Sequence, residues 1–347
     1  MRRCGGTQGD SLGRHPLRVA LVFSLLLCCF YGAREARGQS GDSPSPCDRE
    51  CLVGIAEQYL NALSRHDPAG VPLAKDVRFT ENTVPIPVGD GLWLGAADAP
   101  GPFSIFAADP EMGQVAFFGL ITAWEQPALA AVRLKVSGGR ITEAEHLFTR
   151  SLREIALPNL QSPRPGLLED VPPEERTSRA TMLRAVNAYF DAIERDDGGL
   201  APFAPECARR ENGVQTTSNP PSGESGSSSA PPVPGPIGQV LERVSMLGCA
   251  AHIDSQILSH ITRVHPRRMA VVDEQKGLVV AFPTFEQRGD KRHIELKGIE
   301  GAVRIPVAWP AASIMAAEVF KIRAGRIHEI EALGVQLPYL SDPGWAE

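Results

Sequence analysis

Apolar side chains recur at helical spacing in two stretches of the chain, and a short extended segment follows each of them. Residues three and four positions apart share one face of a helix, so each stretch predicts a helix that buries one side. The apolar positions are Ile55, Tyr59, Leu60 and Leu63 in the first stretch and Val186, Tyr189, Phe190 and Ile193 in the second. We therefore expect one amphipathic helix near the start of each half, ended by Asp67-Pro68 and by Asp197-Gly198.

The same pattern of residues occurs twice in the chain, which indicates an internal repeat. Three pairs of segments match in the same order, namely 57–82 with 187–212, 108–119 with 272–283, and 132–147 with 318–333. The first pair aligns Glu81-Asn82 with Glu211-Asn212. The offset between matching residues grows from 130 to 164 and then to 186, so we expect insertions in the second copy.

In both copies the predicted helix precedes several strands. A short strand ends at the Glu-Asn pair, a hairpin turns at "DPEMG" or "DEQKG", and two long strands flank "SGGR" or "RAGR". A helix followed by antiparallel strands is typical of the α+β class. The sequence thus predicts two tandem α+β domains.

Changes in composition set the expected domain boundaries. Residues 1–38, with a basic flank before an apolar run, have the composition of a signal peptide, and an uncleaved anchor is the alternative. The two domains are predicted at 39–160 and 179–340, joined by the Pro-rich linker 161–178. Residues 216–236 are mostly Gly, Ser and Pro, which predicts a disordered insertion; a lid over a ligand is the alternative.

The charge of the chain limits its partners. The 347 residues carry a formal net charge of -6, and both signs are mixed along the sequence. Because no stretch is strongly basic, nucleic acid is not an expected partner. A cleaved signal peptide would place the protein outside the cell or in the periplasm, without stable insertion in a membrane.

Four cysteines remain after residues 1–38 are removed, namely Cys47, Cys51, Cys207 and Cys249. An even number in an exported protein suggests disulfides, for which three connectivities exist. Cys47 and Cys51 are close enough to bridge at the start of a helix, and Cys207 and Cys249 flank the predicted insertion. We expect these two pairs, with buried free thiols as the alternative.

Four short motifs together resemble the ketosteroid-isomerase-like superfamily, also called SnoaL-like or nuclear transport factor 2-like, including exported two-copy members of unknown function. The motifs are "YLNALSRHDP" and "GGRITEAEH" in the first copy and "YFDAIERDDG" and "AGRIHEIEA" in the second. The resemblance implies two tandem cone-shaped barrels, each a curved antiparallel sheet packed on helices. The open end of such a cone holds an apolar or polyfunctional organic molecule, with no cofactor. Family members often dimerise through their sheets, and two copies in one chain would form that pair internally.

Glu81 is the first candidate for chemistry. A carboxylate inside an apolar cone has a raised pKa and abstracts a proton next to a carbonyl group, while Asn82 donates to the developing oxyanion. A structural role competes with this hypothesis, because Glu81 could instead accept backbone N–H groups in a corner where Asn82 makes a left-handed turn. The duplicated pair Glu211 and Asn212 favours the structural role, since one shared corner explains both pairs.

His146 ends the last strand of the first copy and is the second catalytic candidate. Ala332 stands at the equivalent position, so a catalytic histidine would be confined to the first cone. The candidates for ligand contact are Tyr59, Asn82, Trp93, Tyr189, Glu211 and Asn212. Core packing is the alternative for the aromatic residues. The histidines have no recognised metal-ligand spacing, so no metal site is expected.

Three functions are compatible with these residues. The first is the binding of a small organic molecule without turnover. The second is a cofactor-independent lyase or isomerase in the first cone, with Glu81 as acid or base and His146 or Asn82 assisting. The third is a non-catalytic structural or interaction module whose cones are filled by side chains. The position of Glu81 and His146 relative to an open cavity discriminates among them.

Overall fold

The structure, a computed structural model, describes residues 47–220, 235–300 and 303–345. The predicted signal peptide lies outside these ranges, as does most of the predicted disordered insertion. Within them, no helix is both long enough and apolar enough to span a membrane.

The helices begin and end close to the predicted positions. Asp48 caps the first one by accepting a hydrogen bond from the backbone N–H of Cys51 at 2.9 Å. The α-helices are α1 (Arg49–Ser64), α2 (Leu92–Gly95), α3 (Pro165–Leu168), α4 (Arg179–Arg195), α5 (Pro236–Met246) and α6 (Cys249–Asp254). Single turns of 3-10 helix cover Pro68–Gly70, Pro173–Glu175 and Gly198–Leu200, and a longer 3-10 segment covers Glu154–Leu160.

The strands of the first copy are β1 (Leu73–Glu81), β2 (Val84–Pro85), β3 (Ala96–Ala97), β4 (Ser104–Asp109), β5 (Gln114–Ala123), β6 (Gln126–Ser137) and β7 (Arg140–Thr149). Those of the second copy are β8 (Phe203–Glu211), β9 (Val214–Gln215), β10 (Arg263–Asp273), β11 (Leu278–Gln287), β12 (His293–Leu296), β13 (Val303–Pro306), β14 (Ala312–Arg323) and β15 (Arg326–Pro338).

The two main sheets have the same strand order. The first runs β2-β1-β7-β6-β5, with β3 and β4 both on β5, and the second runs β9-β8-β15-β14-β11-β10. One pair in each sheet is parallel, β1 with β7 and β8 with β15, while the other pairs are antiparallel. The sheets are therefore mixed, whereas the resemblance implied antiparallel ones. Helices α1 and α4 pack on the inner faces, which gives the two α+β cones that the sequence predicts.

The duplicated asparagines form the same corner in both copies. Asn82 and Asn212 each have a positive φ of 46°, a backbone conformation that Asn adopts more readily than most residues. The side-chain oxygen of Asn82 accepts a hydrogen bond from the N–H of Phe148, and that of Asn212 accepts one from the N–H of Gly334, each at 2.9 Å. Each amide thus ties the end of the first long strand to the last strand of its own sheet.

The outer faces of the two sheets pack against each other through one apolar cluster. Ile105 and Phe118 of the first sheet and Val280 and Phe282 of the second belong to this cluster, and all are buried. Burial of such side chains from water is the main favourable contribution to packing of this kind. The two copies therefore pair within the chain.

Two aspartates make equivalent contacts across this pair. Asp109 accepts a hydrogen bond from a backbone N–H of β10, and Asp273 accepts one from a backbone N–H of β4, both at 3.1 Å. Arg179 reaches Asp109 at 2.8 Å, and Arg49 reaches Asp273 at 3.0 Å. These contacts of one copy are repeated in reverse by the other, as across a two-fold axis between subunits.

Each copy contains one disulfide, and both are the predicted pairs. Cys47 bridges to Cys51 at the start of α1, with their Cα atoms 5.3 Å apart. Cys207 of β8 bridges to Cys249 of α6, with a Cα separation of 5.7 Å. The second bond holds α6 beside the sheet and closes the loop that contains the predicted insertion.

The segment predicted as a linker packs on the second sheet. Leu167 and Val171 are buried, and the N–H of Val171 donates to the carbonyl oxygen of Gln275 at 2.9 Å. Its few apolar residues are thus sufficient to anchor it. At the predicted insertion, Thr217 and Asn219 are buried at the near end, and 221–234 lies outside the described residues.

Candidate functional site

A polar cluster lies in the interior of the first cone. The hydroxyl of Tyr59 and Nε2 of His146 share a hydrogen bond of 2.9 Å, and both residues are buried. Nδ1 of His146 lies 3.6 Å from Oε2 of Glu81. The ring of Trp93 meets that of Tyr59 edge-on, with centroids 5.1 Å apart. The structure therefore brings together the two catalytic candidates, Glu81 and His146, and two of the ligand-contact candidates, Tyr59 and Trp93.

Glu81 also holds the chain that follows it. Its Oε2 accepts a hydrogen bond from the backbone N–H of Leu92 at 2.8 Å, at the start of α2. Only 12% of its side chain is exposed. A hydrogen bond from a backbone N–H to a carboxylate is among the stronger ones in proteins and fixes the chain at that point. The contact favours the structural role that the sequence analysis set against catalysis.

The interior of the first cone is closely filled. The ring of Phe79 lies 4.8 Å from that of His146, and Trp93 is buried on the side of α2. Four of the cavities among the described residues lie elsewhere, and none of these four is lined by Tyr59, Glu81 or His146. Burial raises the pKa of the Tyr59 phenol, so the hydroxyl stays protonated.

The second cone contains an open cavity of about 160 Å³. Its apolar wall comes from helix α4, from the loop after α6 and from strands β11, β14 and β15. The apolar side chains are Ile193, Leu258, Ile261, Phe285, Ile314, Ala316, Ala332 and Leu333. Ala332 occupies the position of His146 in the first cone, since it pairs with Glu211 as His146 pairs with Glu81. The smaller residue leaves space.

A guanidinium and two carboxylates form the polar base of this cavity. Arg209 donates to Glu211 at 2.9 Å and to Glu318 at 3.3 Å, through different nitrogens. Its Nε donates to the hydroxyl of Tyr189 at 3.0 Å, and that hydroxyl donates to Glu318 at 3.3 Å. The second oxygen of Glu318, Oε2, has no hydrogen-bond partner among the described residues. These four side chains therefore form one hydrogen-bonded network that still has a free acceptor within the described ranges.

The charges at this base are strongly perturbed. Glu318 is fully buried, and burial raises its pKa to about 7, although Arg209 opposes the shift. For Glu211, which is partly exposed, burial also opposes ionisation, but the charge and hydrogen bond of Arg209 outweigh it and lower the pKa. Burial opposes the charge on Arg209 as well, yet Tyr189 and the two carboxylates raise its pKa above the usual value. Glu318 is thus the group that can change charge near neutral pH.

Two histidines lie near the same base. Burial lowers the pKa of His252 and of His260 to about 4. His260 lines the cavity and its ring lies 4.4 Å from that of Trp309, so a neutral imidazole forms part of the cavity wall. No cluster in the described ranges has three metal-ligating side chains in position to hold an ion.

The sequence analysis found part of this site. It named Tyr189 and Glu211, which contact Arg209, and Asn212, whose amide is bonded to backbone groups of Gly334. It missed Arg209 and Glu318. The repeat contained the signal, because these charged residues align with apolar residues of the first copy, Phe79 and Val132. A charged residue in one copy, at a position where the other copy has an apolar core residue, indicates a buried polar site in place of apolar packing.

Comparison with known proteins gives a family and several distant structures. The family described as "Domain of unknown function (DUF8021)" matches residues 46–148 and 175–334, more than half of the chain. No curated protein matches the sequence.

Three solved structures are similar to parts of the chain. AclR from Streptomyces galilaeus is 12% identical, with a TM-score of 0.25 over 46% of this chain and 83% of its own. A protein of unknown function with a cystatin-like fold from Methylobium petroleophilum is 16% identical, with a TM-score of 0.24 over 48% and 84%. An LEH-like epoxide hydrolase from M. tuberculosis is 13% identical, with a TM-score of 0.22 over 47% and 86%. Similarity at this level bears on neither activity nor substrate.

Proposed function

The chain belongs to the DUF8021 family, and we propose that it is an exported protein that binds a small organic molecule in the cavity of its second cone. The observation that carries the proposal is the cavity itself, with an apolar wall and one polar base. Ligand sites in proteins commonly combine a mostly apolar lining with a few placed polar groups. The first cone, whose interior is filled, then serves as the structural partner of the second.

The volume of the cavity limits the size of the ligand. An engineered apolar cavity of about 150 Å³ is known to hold benzene, and the cavity of the second cone is about 160 Å³. A single ring with one or two substituents fits such a space. Larger molecules would have to extend beyond the cavity.

The polar base favours a ligand with a hydroxyl, carbonyl or amide group. Arg209 offers N–H donors, while Glu318 offers an acceptor when ionised and a donor when protonated. Because Glu318 Oε2 has no hydrogen-bond partner in the described ranges, a ligand group that bonds to it would relieve an unsatisfied buried atom. A purely apolar ligand would leave that atom unsatisfied and should bind less tightly.

Export is supported by the two disulfides and by the composition of residues 1–38. Disulfides persist in oxidising compartments and are rare in the cytosol. We therefore infer secretion or release into a periplasm after signal cleavage.

Proton transfer on the bound molecule is a second candidate function. A carboxyl with a pKa of about 7 next to a cavity is suited to accept or donate a proton near neutral pH. The acid or base would then be Glu318 in the second cone rather than Glu81 in the first. Such a reaction would be a lyase or isomerase step that needs no cofactor.

A filled cavity tests the binding proposal. Ala332→Val adds two methyl groups to the cavity wall, and we expect it to weaken the binding of phenol, benzyl alcohol and benzamide by roughly tenfold or more, about 1.4 kcal/mol. Binding to the full chain is measured by ligand-observed NMR and by the shift in Tm. Glu81→Gln is the control in the first cone and should leave binding unchanged.

The same measurement separates the alternatives. If Glu81→Gln abolishes binding and Ala332→Val does not, the site lies in the first cone and the proposal is wrong. If neither ring compound nor amide binds the parent, the structural or interaction module is the better interpretation. Glu318→Gln keeps the shape of the side chain, so loss of turnover with retained binding would support the proton-transfer function.

A further inference from the structure

A second cleft, of about 480 Å³, lies between the two cones, on the outer face of the first sheet. It is separate from the cavity of the second cone, and the two share no lining residue. Strands β1, β5, β6 and β7 of the first copy and β10 of the second form its walls. Five of its lining residues are cationic, and these are Arg78, Arg133, Lys135, Arg267 and Arg268.

The cations of this cleft outnumber the carboxylates beside them. Glu143 pairs with both Arg133, at 2.8 Å, and Lys135, at 3.7 Å. Glu145 is likewise shared, between Arg133 at 2.7 Å and Arg268. Among the described residues, Arg78 has no carboxylate partner and donates to the carbonyl oxygen of a residue near the C-terminus. Within the part of the chain that the structure describes, four cations therefore face two carboxylates.

The fifth cation does not change this balance. Arg267 pairs with Asp191 at 2.7 Å and with Glu194 at 2.8 Å, both on helix α4. These two carboxylates therefore neutralise Arg267, on the wall formed by β10, and do not neutralise the other four cations. The excess positive charge stays with the group formed by Arg78, Arg133, Lys135 and Arg268.

Two guanidinium nitrogens at the cleft have no hydrogen-bond acceptor among the described residues. They are Nη2 of Arg133, a residue that is only 2% exposed, and Nε of Arg268. Burial lowers the pKa of Arg268, and Glu145 only partly offsets this while Arg133 adds to it. Buried guanidinium N–H groups without acceptors are costly, so an anion in the cleft would have a favourable effect.

In the equivalent groove on the second sheet, part of the space is occupied by a residue of the chain itself, and a cavity of about 290 Å³ remains beside it. Lys321, Glu329 and Glu331 stand there at the positions of Lys135, Glu143 and Glu145. Arg164 of the linker enters that groove and pairs with Glu331 at 3.0 Å and with Glu329 at 3.1 Å. Arg210 of β8 also lies 3.6 Å from Glu331, so the carboxylates of that groove meet one cation from the linker and one from their own sheet.

The first sheet has no such contribution from the linker among the described residues. Its guanidinium comes from its own strand, since Arg133 stands where the second sheet has Val319. Only the last residues of the described chain cover this side, and Trp345 packs there with Arg78 and Arg133 at 3.9 and 4.5 Å from its ring centre. The indole N–H donates to Thr80 at 2.8 Å, which fixes the ring. The remaining space is open and positively charged.

We propose that this cleft binds an anionic molecule through phosphate, sulfate or carboxylate oxygens. Lys135 and Arg78 of the first copy provide the accessible positive charge. Arg268 of the second copy lies on the opposite wall and adds a third positive charge. Because residues of both copies line the cleft, the site exists only when the two cones are paired. Guanidinium groups suit planar or tetrahedral oxyanions, since they present several N–H donors in a fixed arrangement.

The test uses isothermal titration calorimetry on the full chain at constant ionic strength, with inorganic phosphate and phenyl phosphate as probes and phenol as the neutral comparison. Lys135→Glu reverses a charge at the rim of the cleft and should weaken binding of both anions by roughly tenfold. Lys75→Glu, an exposed residue of β1 away from the cleft lining, changes the net charge equally and should leave binding within about twofold of the parent.

Each outcome decides the proposal. Equal binding of both anions would show that the cleft recognises the oxyanion alone. Tighter binding of phenyl phosphate would show that it also recognises the organic group. Both results support the site. Retained anion binding in Ala332→Val shows that the cleft acts independently of the cavity in the second cone. No binding of either anion at about 10 mM, where a site with a Kd of about 1 mM would be mostly occupied, would overturn the proposal. So would an equal loss in Lys135→Glu and Lys75→Glu.

Discussion

The two cones share one strand order but differ in what lies inside them. In the first, Phe79, Trp93 and His146 pack around Tyr59 and fill the interior. In the second, Ala332 stands at the position of His146, and an open cavity lies beside it. The same backbone therefore supports a packed core in one copy and a cavity in the other.

The difference comes from the exchange of polar and apolar residues between two neighbouring strands. On β6 and β7 the facing pair is Val132 and His146, whereas on β14 and β15 it is Glu318 and Ala332. In both copies the polar member meets the hydroxyl of the helix tyrosine, at 2.9 Å in the first and 3.3 Å in the second. Moving the polar group by one strand keeps the tyrosine bonded and clears space above the last strand.

The largest expected effect is the loss of the disulfide of the second copy, which closes a longer loop than that of the first. Cys207 and Cys249 are 42 residues apart, and Cys47 and Cys51 are 4 apart. In the chain-entropy model, closing the longer loop stabilises by about 4 kcal/mol and closing the shorter by about 2 kcal/mol. We expect replacement of both cysteines of a pair by Ala to lower the free energy of unfolding by these amounts, measured in urea. Equal losses would show that loop length does not govern the difference.

The second expected effect is the pH dependence caused by Glu318. Its pKa is about 7 in the folded protein, against 4.5 for the ordinary group. Between these values the folded state binds more protons than the unfolded state, so the contribution of Glu318 to stability is present below pH 4.5 and is lost as pH rises to 7. Glu318→Gln removes this loss. Relative to the parent, the variant should therefore gain on the order of 3 kcal/mol between pH 4.5 and 8.

The titration of neighbouring histidines does not alter the difference in unfolding free energy between the parent and Glu318→Gln. His252 and His260 have pKa values lowered to about 4, so they reduce stability as pH falls below 6.5 in parent and variant alike. The difference between the two urea-unfolding series removes their effect. A difference that stays constant from pH 4.5 to 8 would mean that Glu318 titrates normally, and the second cone would lose its candidate acid or base.

The sequence predicts the features of the fold that local residues determine, but not those that depend on packing between distant residues. Repetition predicted the two helices, the hairpins and the corner at Asn82 and Asn212, because local turn chemistry and periodicity determine them. The sequence did not predict which cone is open. That depends on the volume left between His146 or Ala332 and the facing side chains, and volume is set by packing in three dimensions. Arg209 and Glu318 lie more than a hundred residues apart, so no local motif joins them.

The smallest expected effect separates Glu81 from Glu211, the pair that the repeat aligns. Glu81 accepts the N–H of Leu92 and is 12% exposed, whereas 46% of the Glu211 side chain is exposed and its partner is Arg209. A charge-assisted bond in a partly buried corner is worth about 1.5 kcal/mol or more, and a partly exposed ion pair about 1 kcal/mol or less. We therefore expect Glu81→Gln to reduce the free energy of unfolding in urea at pH 7 more than Glu211→Gln does. If Glu81→Gln is as stable as the parent, Glu81 does not hold the corner, and a working carboxylate in the first cone becomes the better explanation for it.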